Sequence, residues 1–400
     1  MAPITLPPHS SVQVTARDET SVLTSGDRAT SIRIEVLDER EQVQGTLGGV
    51  NLSGSSLSWS ANASVKGKGK LDVTDFDQHY LRETAVNWTR ARIRPVARVE
   101  GIDKDYPLGV WLPSAPSDNL SDGVRRWPVE LVDKTGLLDR DVWTGPSGWP
   151  RVFVARRGLP VPAILSALVG KVGEVPVFTD PQWQPQVQRE MVWDAGTTLL
   201  RIVNDLCMAA GAFSIHADMS GRLVVEPYRE PRRREVTHKA VGAFQHGPTS
   251  LLHPDMTVDR DVYSVPNRFV AVGQASETAP ALVGSAVITD PNSPFGKRAR
   301  GRWITEVETG VEATSQAAIN SYAQRKLAMR TAVAGKLNVK HAWLPGVTVN
   351  SVLETSNPLV ELQALVTVQN IELPLDLTEL CSATLREVIG IGEEGDYVDQ

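Results

Sequence analysis

The sequence predicts a mainly β protein with α+β insertions. Strict alternation of apolar and polar residues, which is typical of half-buried strands, recurs along most of the chain and is first clear at 31–38 (SIRIEVLD). Helical spacing of apolar residues is confined to about 160–211 and 312–334. This order favours a β framework that carries smaller inserted units.

The composition is that of an ordinary soluble globular chain with several domains. Of its 400 residues, 41% are hydrophobic and 22% are charged, which is enough apolar material for real cores. The sequence contains no run of 18 apolar residues, so no membrane-spanning helix is predicted. The first residues lack the pattern of a secretory signal. The net charge of -6 argues against a dedicated nucleic-acid binder.

The two cysteines, Cys207 and Cys381, exclude a disulfide scaffold and a cysteine-based zinc cluster. Both lie in apolar sequence. We therefore expect them to be reduced, buried and inert, in a chain made in a reducing cytoplasm.

The first 140 residues have the pattern of short strands separated by turns, which indicates a barrel or a sandwich. After 31–38, strands are predicted at 57–65, 89–97, 106–113 and 126–133. Between the first two of these, Lys66–Lys70 (KGKGK) is predicted to be a flexible basic loop.

The strand at 89–97 is expected to have one charged face. Arg90, Arg92 and Arg94 occupy alternate positions along it, and alternate side chains of a strand point to the same side.

Residues 150–230 have the pattern of a small α/β unit. A short helix is predicted at 160–169, and a second begins after Thr197 or Thr198, either of which is a suitable N-cap, and ends at Gly211. Residues 213–218 and 221–228 predict a hairpin.

The remaining chain returns to β structure. A solvated linker is expected at 229–235, with a phosphate-binding patch of arginines as the alternative, and a long mobile loop or hairpin tip at 276–301. The clearest helix spans 312–334 and is expected to end at Gly335. Strands are predicted at 265–273, 337–343, 347–353, 359–373 and 380–388, before an acidic, frayed tail at 390–400.

The catalytic templates are missing from the sequence. It contains no phosphate loop, dinucleotide-binding turn, His-Glu-x-x-His pair or Gly-x-Ser-x-Gly elbow. His238, His246 and His253 are spaced too loosely to predict a metal site. We therefore predict no catalytic, cofactor-binding or metal-binding residues, no cofactor and no enzymatic activity.

Two further patterns have a functional and a structural interpretation. Glu130, Asp133, Asp139 and Asp141 are candidates for the carboxylate pair of a glycoside hydrolase, although acidic residues are more common at strand ends and turns. The ten tryptophans favour packing in cores or between domains over a sugar-stacking platform, because they are spread along the chain. They are Trp59, Trp88, Trp111, Trp127, Trp143, Trp149, Trp183, Trp193, Trp303 and Trp343.

Four stretches, taken in order, resemble a known family: 126–141 (RWPVELVDKTGLLDRD), 193–211, 218–228 (DMSGRLVVEPY) and 266–273 (PNRFVAVG). With the late helix and the terminal strands, they resemble the minor tail proteins, or baseplate hub proteins, of long-tailed phages of actinobacteria. That family is similar to the central hub of contractile tails and of type VI secretion spikes. The order and spacing of the stretches carry the resemblance, since no single motif is diagnostic.

The resemblance implies two tail-tube-like β-barrels plus two smaller inserted domains. Applied to this sequence, it gives an N-terminal arm (1–27), a first barrel (28–143), a small α/β domain (144–232), a second barrel (233–265 and 335–390), a loop-rich inserted domain with a helix (266–334) and an acidic tail (391–400).

The resemblance also implies a structural virion protein. Three copies would form a ring-shaped hub that caps the tail tube, adapts the six-fold tube to a three-fold tip and lets DNA pass during genome ejection. The implied partners are the other copies of a homotrimer, the distal tail protein, the tape measure protein and other minor tail or receptor-binding proteins. DNA would be present only in transit. The implied location is the virion tail tip, after assembly in the cytoplasm of the host bacterium.

The modest acidity predicts a lumen on which Asp and Glu outnumber Lys and Arg, because negative charge repels passing phosphates. A lumen dominated by Arg90, Arg92, Arg94 and the Lys66–Lys70 segment would contradict this. Two alternatives remain open: a host-receptor or carbohydrate-binding tail-tip protein that serves host cell attachment and, less favoured, a cell-wall hydrolase.

Overall fold

The structure of the chain is a computed structural model. It describes residues 19–25, 28–74, 90–114, 119–121, 124–229, 231–237, 242–247, 250–260, 265–273, 281–291, 293–311, 316–331, 335–360 and 362–392. The predicted arm at 1–27 and the predicted tail at 391–400 lie mostly outside these residues, as does Trp88.

Strands dominate the described chain, so the prediction of a mainly β fold with α+β insertions is confirmed. The N-terminal region contains α1 (Glu19–Leu23), β1 (Thr30–Leu37), β2 (Val43–Thr46), β3 (Val50–Ser60), β4 (Gly67–Val73), β5 (Arg92–Val99), β6 (Asp105–Pro107), β7 (Trp111–Pro113), β8 (Asn119–Ser121) and β9 (Val124–Asp133). The middle region contains α2 (Gly136–Asp139), β10 (Phe153–Ala155), α3 (Val161–Gly170), β11 (Val177–Phe178), β12 (Met191–Trp193), α4 (Leu199–Ala209), β13 (His216–Ala217) and β14 (Leu223–Val225).

The C-terminal region contains a long helix and the remaining strands. They are β15 (Leu252–Arg260), β16 (Arg268–Gly273), β17 (Val283–Ile288), α5 (Lys297–Arg300), β18 (Thr305–Val311), α6 (Gln316–Thr331), β19 (Gly335–His341), β20 (Val352–Asn357), β21 (Leu362–Pro374), β22 (Cys381–Glu387) and β23 (Ile391–Gly392). Single 3₁₀ turns lie at Pro231–Arg233 and Pro358–Val360.

One sheet of 14 strands joins the two ends of the chain. Its main path runs β15-β19-β22-β21-β3-β4-β9-β7-β5-β1-β2, with β20, β6 and β8 pairing beside it. The junction is the antiparallel pair β21–β3, in which Asn370 lies opposite Ser60 and Pro374 opposite Ser56. The two predicted barrel segments therefore share one continuous sheet. Their division into two barrels, and the domain boundaries, stay predictions.

The core of this sheet is also shared. Leu57, Leu71 and Val129 from the N-terminal strands belong to the same buried cluster as Leu337 and Leu385 from the C-terminal strands. Because alternate residues of each strand point to opposite faces, the neighbours of these residues lie on the outer face. A one-residue slip in register would move the buried apolar residues to the outer face and their polar neighbours into the core. The apolar pattern therefore fixes the strand pairing.

The middle region forms an α/β unit with its own core. In the predicted second helix, α4, Thr198 is the N-cap that accepts a hydrogen bond from Arg201 N (3.3 Å), and Gly211 has the left-handed φ of 73° expected after a helix end. The predicted hairpin is present as β13 and β14. The buried face of α4 packs with α3 and β14 in one hydrophobic cluster.

A third unit combines the strands β18-β16-β17-β23 with helix α6. The helix lies very close to β17, where a Cβ at Gly284 would stand 2.7 Å from the backbone oxygen of Ile319. Ile319, Ala323 and Leu327, one turn apart on α6, are fully buried against this sheet, which confirms the predicted helix in that region.

Two predicted loops are wrong because they contain strands. Lys66–Lys70 lies mostly in β4, where Gly69 sits over the core and a Cβ there would stand 2.8 Å from Leu57 Cδ2, while Lys68 is exposed. The glycines are thus required by close packing rather than by flexibility. The predicted loop at 276–301 contains β17, buried by α6, although part of that range lies outside the described residues.

Other predicted boundaries shift at turns. The strand predicted at 347–353 begins only at Val352, because residues 347–351 form a turn in which Asn350 has a φ of 65°. The strand predicted at 57–65 ends at Ser60. Gly335 begins β19, and a Cβ there would stand 2.8 Å from the Cβ of Glu387 on the neighbouring strand. In the predicted frayed tail, Ile391–Gly392 pair with β17.

A cluster of four charged side chains fixes the α/β unit against the large sheet. Arg92 Nη1, on β5, contacts Glu41 Oε1 at 2.7 Å and Glu174 Oε1 at 2.9 Å, and Glu174 follows α3 in the α/β unit. Lys134 Nζ, just after β9, contacts Glu174 Oε2 at 2.7 Å and also Glu41. The Lys134 side chain is only 4% exposed, so these two carboxylates compensate a buried charge.

No helix in the described part of the chain is long and apolar enough to cross a membrane.

The charged cluster predicts a strong effect of Glu174→Ala. Removing this carboxylate leaves two buried cations with Glu41 alone, and breaking such a buried arrangement costs about 3 kcal/mol of unfolding free energy. Urea unfolding of the full chain measures the loss. The matched control is Arg98→Ala in the exposed pair with Asp103, which should cost less than about 1 kcal/mol. Equal losses in the two variants would contradict the assigned role.

The cysteine environments predict thiols that do not react in the folded state. Cys207 and Cys381 are unpaired, fully buried and in different clusters, and burial raises the pKa of each thiol to about 12. A thiol reagent at neutral pH should label neither, whereas both should label in denaturant. A cysteine introduced at exposed Ser147 supplies the positive control. Rapid labelling of Cys207 or Cys381 in the native chain would contradict the structure.

Candidate functional site

An open depression of about 960 Å³ lies against the outer face of β3, β15, β19, β21 and β22. The strand face within it is polar because the buried residues of these strands take the alternate positions. On β3, for example, Leu57 and Trp59 are buried while Ser58 and Ser60 face outwards. Exposed apolar side chains also line the depression, namely Leu359, Val360 and Leu380.

Strand register arranges the outward side chains of this face in two lines, which we call the polar rows. The first row is Lys68, Ser58, Glu372, Ser382 and Lys340. The second row is Ser60, Asn370, Thr384, Asn338 and Thr257. Small hydroxyl and amide side chains therefore cover the junction between the two ends of the chain.

The charges on the polar rows are few and separated. Lys68 and Lys340 each lie two strands from Glu372, a separation of roughly 10 Å at normal strand spacing. The amides are held by neighbouring side chains: Asn338 accepts from Thr384 Oγ1 (3.2 Å) and donates to Asp259 (3.5 Å). Such a face can form many weak hydrogen bonds with a large partner but concentrates no charge on a small ligand.

The rim of the depression carries the histidine His253. Its Nδ1 lies 3.6 Å from Asp255 Oδ2, and the Asp255 side chain is 91% exposed. Water competes with the imidazole ring for hydrogen bonds to such an exposed carboxylate. The Asp255 carboxylate therefore does not hold the ring in one orientation. His246 is exposed on a separate segment, and His238 lies outside the described residues. Within the described ranges, no three His, Cys, Asp or Glu side chains come together as metal ligands.

The four candidate carboxylates lie in different environments. Asp133 is buried and accepts hydrogen bonds from Gly67 N (2.5 Å), Thr135 N (2.9 Å) and Thr135 Oγ1, so it ties β4 to the end of β9. Burial raises its pKa, whereas these hydrogen bonds act in the opposite direction. The others are more exposed: Glu130 and Asp139 face solvent, and Asp141 is half-buried and accepts from the next backbone N–H.

Arginines of the segment at 229–235 form contacts with other parts of the molecule. Arg234 donates to the backbone oxygens of Arg229 (2.7 Å) and Asn350 (3.1 Å) and stacks on Phe213 at 4.7 Å. Arg232 pairs with Asp290 at 3.0 Å. The prediction of a solvated linker is wrong for Arg234, and these contacts do not favour the phosphate-binding alternative.

The arginines of the predicted charged face of β5 are paired with acids. Arg92 belongs to the buried cluster described above, and Arg94 contacts Glu35 at 2.7 Å. Arg90, just before the strand, contacts Glu39 at 3.0 Å. These pairs reduce the positive field that the spacing of the arginines alone predicts.

Most described tryptophans are packed, as the sequence predicts. Trp59 and Trp111 lie with ring centroids 5.4 Å apart in the large core, and Trp193 and Trp343 are buried in two different clusters. Trp149 differs, being 74% exposed. The described residues thus contain no group of exposed tryptophans suited to stacking on a sugar chain.

No protein-family model and no curated protein matches this sequence. Solved structures do match its fold. The 43 kDa tail protein of prophage MuSo2 from Shewanella oneidensis has a TM-score of 0.62 at 11% identity, and the match covers 90% of this chain and all of that one. A tail protein from Neisseria meningitidis MC58 has a TM-score of 0.59 at 11% identity over 89% of this chain and 97% of that one.

A third structure gives the same result. The prophage tail protein gp18 from Listeria monocytogenes EGD-e has a TM-score of 0.53 at 10% identity, with 88% of this chain and 94% of that one covered. The likeness therefore extends over nearly the whole described architecture rather than over one unit. The chain has the fold of phage tail proteins, which confirms at the level of fold the resemblance found in the sequence.

Proposed function

We propose that this chain is a structural protein of a phage tail tip, where it forms the ring-shaped hub that caps the tail tube. The observation that carries the proposal is the likeness to tail proteins over 90% of this chain and all of the matching one. In the proposed hub, three copies adapt the six-fold tube to the three-fold tip. The protein has no catalytic role in this proposal.

The proposed partners are the other two copies, the distal tail protein, the tape measure protein and further minor tail or receptor-binding proteins. The proposed location is the virion tail tip, after assembly in the host cytoplasm. Strand edges support assembly: β15 pairs only with β19 among the described residues, so one of its edges is available for pairing.

We further propose that the polar rows face the channel through which DNA leaves. Firm DNA binding needs several basic groups that contact phosphates together, and Lys68 and Lys340 stand far apart on this face. Hydroxyl and amide groups exchange hydrogen bonds with water at little cost, which suits a surface that DNA only passes. The predicted excess of acids over the whole lumen stays a prediction.

The hub proposal predicts a three-fold ring in the tail tip. Cryo-electron microscopy of virions that contain this chain should show three copies at the end of the tail tube. Mass photometry of a ring formed by this chain alone should give three times the chain mass of 43.5 kDa. Density for this chain at another part of the virion, or its absence from purified virions, would overturn the proposal.

The channel proposal predicts that added positive charge on the polar rows blocks DNA release. The combined change Ser58→Lys, Ser382→Lys and Thr384→Lys places three cations on this face, which should retain phosphates in a salt-dependent manner. Virions with this variant should adsorb to cells normally but release their DNA poorly. The matched control adds three lysines at exposed positions of the α/β unit, as Ser166→Lys, Gln182→Lys and Gln188→Lys. Equal DNA release from both variants would contradict the assignment.

A further inference from the structure

The two-stranded sheet β10–β12 has an apolar outer face, which is unusual for the solvent side of such a sheet. Val154 lies directly opposite Val192, and their exposed fractions are 39% and 58%. Val152, just before β10, is 50% exposed, and Trp149 is 74% exposed. A strand pair with one buried face normally alternates apolar with polar residues, so these valines are not explained by the fold itself.

The inner face of the same sheet is packed against aromatic side chains. Phe153 stacks edge-on against Trp143 with centroids 4.9 Å apart and lies 5.7 Å from Trp193. This aromatic group joins the core of the α/β unit. The sheet is therefore held in place from below, and its outer valines form a fixed surface. We call the surface formed by Val152, Val154 and Val192 the valine ribbon.

Positive charge flanks the valine ribbon. Arg151 precedes β10 while Arg156 and Arg157 follow it, and all three are exposed. None of the three makes an ion pair with another described residue. On the neighbouring strand, two exposed acids flank β12: Glu190 precedes it and Asp194 follows it. The surface thus has an apolar centre, three arginines at the ends of β10 that form no ion pair with a described residue, and one acid at each end of β12.

The backbone just before β10 is paired with the preceding segment, since Arg151 N donates to Trp143 O (3.1 Å), so the edges that matter for pairing are those of β10 and β12 themselves. Among the described residues, β10 pairs only with β12 and β12 only with β10, so each strand retains one edge without a partner strand. An extended polypeptide can add to such an edge, and its alternate side chains then lie over the same face as the valines.

From these observations we propose that the valine ribbon binds an extended, acidic segment of another tail protein, with apolar side chains at alternate positions. This proposal rests on the proposed function, since it supplies a docking point for one of the neighbouring subunits. The valines would bury the apolar side chains, and Arg151, Arg156 and Arg157 would pair with carboxylates. A symmetric contact between two copies of the ribbon is disfavoured, because it would bring the same arginines together.

The test measures binding of a fluorescent peptide, in which glutamate and valine alternate, to the full chain by anisotropy. Binding should saturate, and the combined change Val154→Glu and Val192→Glu should weaken it by at least about tenfold. Arg156→Glu with Arg157→Glu should do the same. The matched control is Val307→Glu on β18, where the valine is 57% exposed, and it should bind the peptide like the unchanged chain.

Four results would overturn the proposal. Equal binding by the ribbon variants and the control would show that the valines and arginines of the ribbon do not hold the peptide. Equal binding of an oligonucleotide of the same charge would show that charge alone attracts the probe. Binding only after removal of residues 393–400, which contain four acids, would assign the ribbon to the chain's own segment. Loss of self-association in the valine variant would assign it to a second copy. Peptide binding is measured on the purified chain, so its failure is distinct from the failure to find a ring at the tail tip.

Discussion

The pairing of β21 with β3 is the constraint on which the rest of the architecture depends. It joins strands that are more than 300 positions apart in the sequence, through register pairs such as Asn370 with Ser60. Further backbone hydrogen bonds extend the junction, from Ala61 N to Gln369 O (2.8 Å) and from Leu375 N to Ser55 O (2.9 Å). Because both ends of the chain contribute to one sheet and one core, the α/β unit and the helix-containing unit are insertions between them. The same junction aligns the polar rows.

The inserted α/β unit is oriented by a few polar contacts. The cluster of Arg92, Lys134, Glu41 and Glu174 joins it to the large sheet, and Gly109 N donates to Met219 O (2.9 Å) nearby. Buried charges tolerate little displacement, since a cation that loses its carboxylate is left in an environment with little water. A rigid attachment of this kind gives the valine ribbon a defined position relative to the sheet.

Strand and helix identity could be predicted where periodicity is strong, as at β1, β5, α3 and α4. The prediction failed at Lys66–Lys70, because glycine there serves close packing over Leu57, and at β17, because its short apolar run shows no clear period before α6 covers it. The polar rows were not predictable. Alternating serines at 56–60 indicate a polar strand face, but no local pattern tells which distant strands align with it. In the sequence, the exposed valines of the ribbon look the same as the valines of a buried strand, so their exposure could not be predicted.

The junction also has a consequence for how the chain is made. On the ribosome, β3 is complete long before β21 is synthesised, and at ordinary elongation rates the interval is about 15–60 s. Throughout that time one edge of β3 has no partner and is open to pairing with another nascent chain. The sequence of β3, with serine or asparagine at six of its eleven positions, is poorly suited to aggregation. Its polar side chains thus protect the strand while the partner is still being translated.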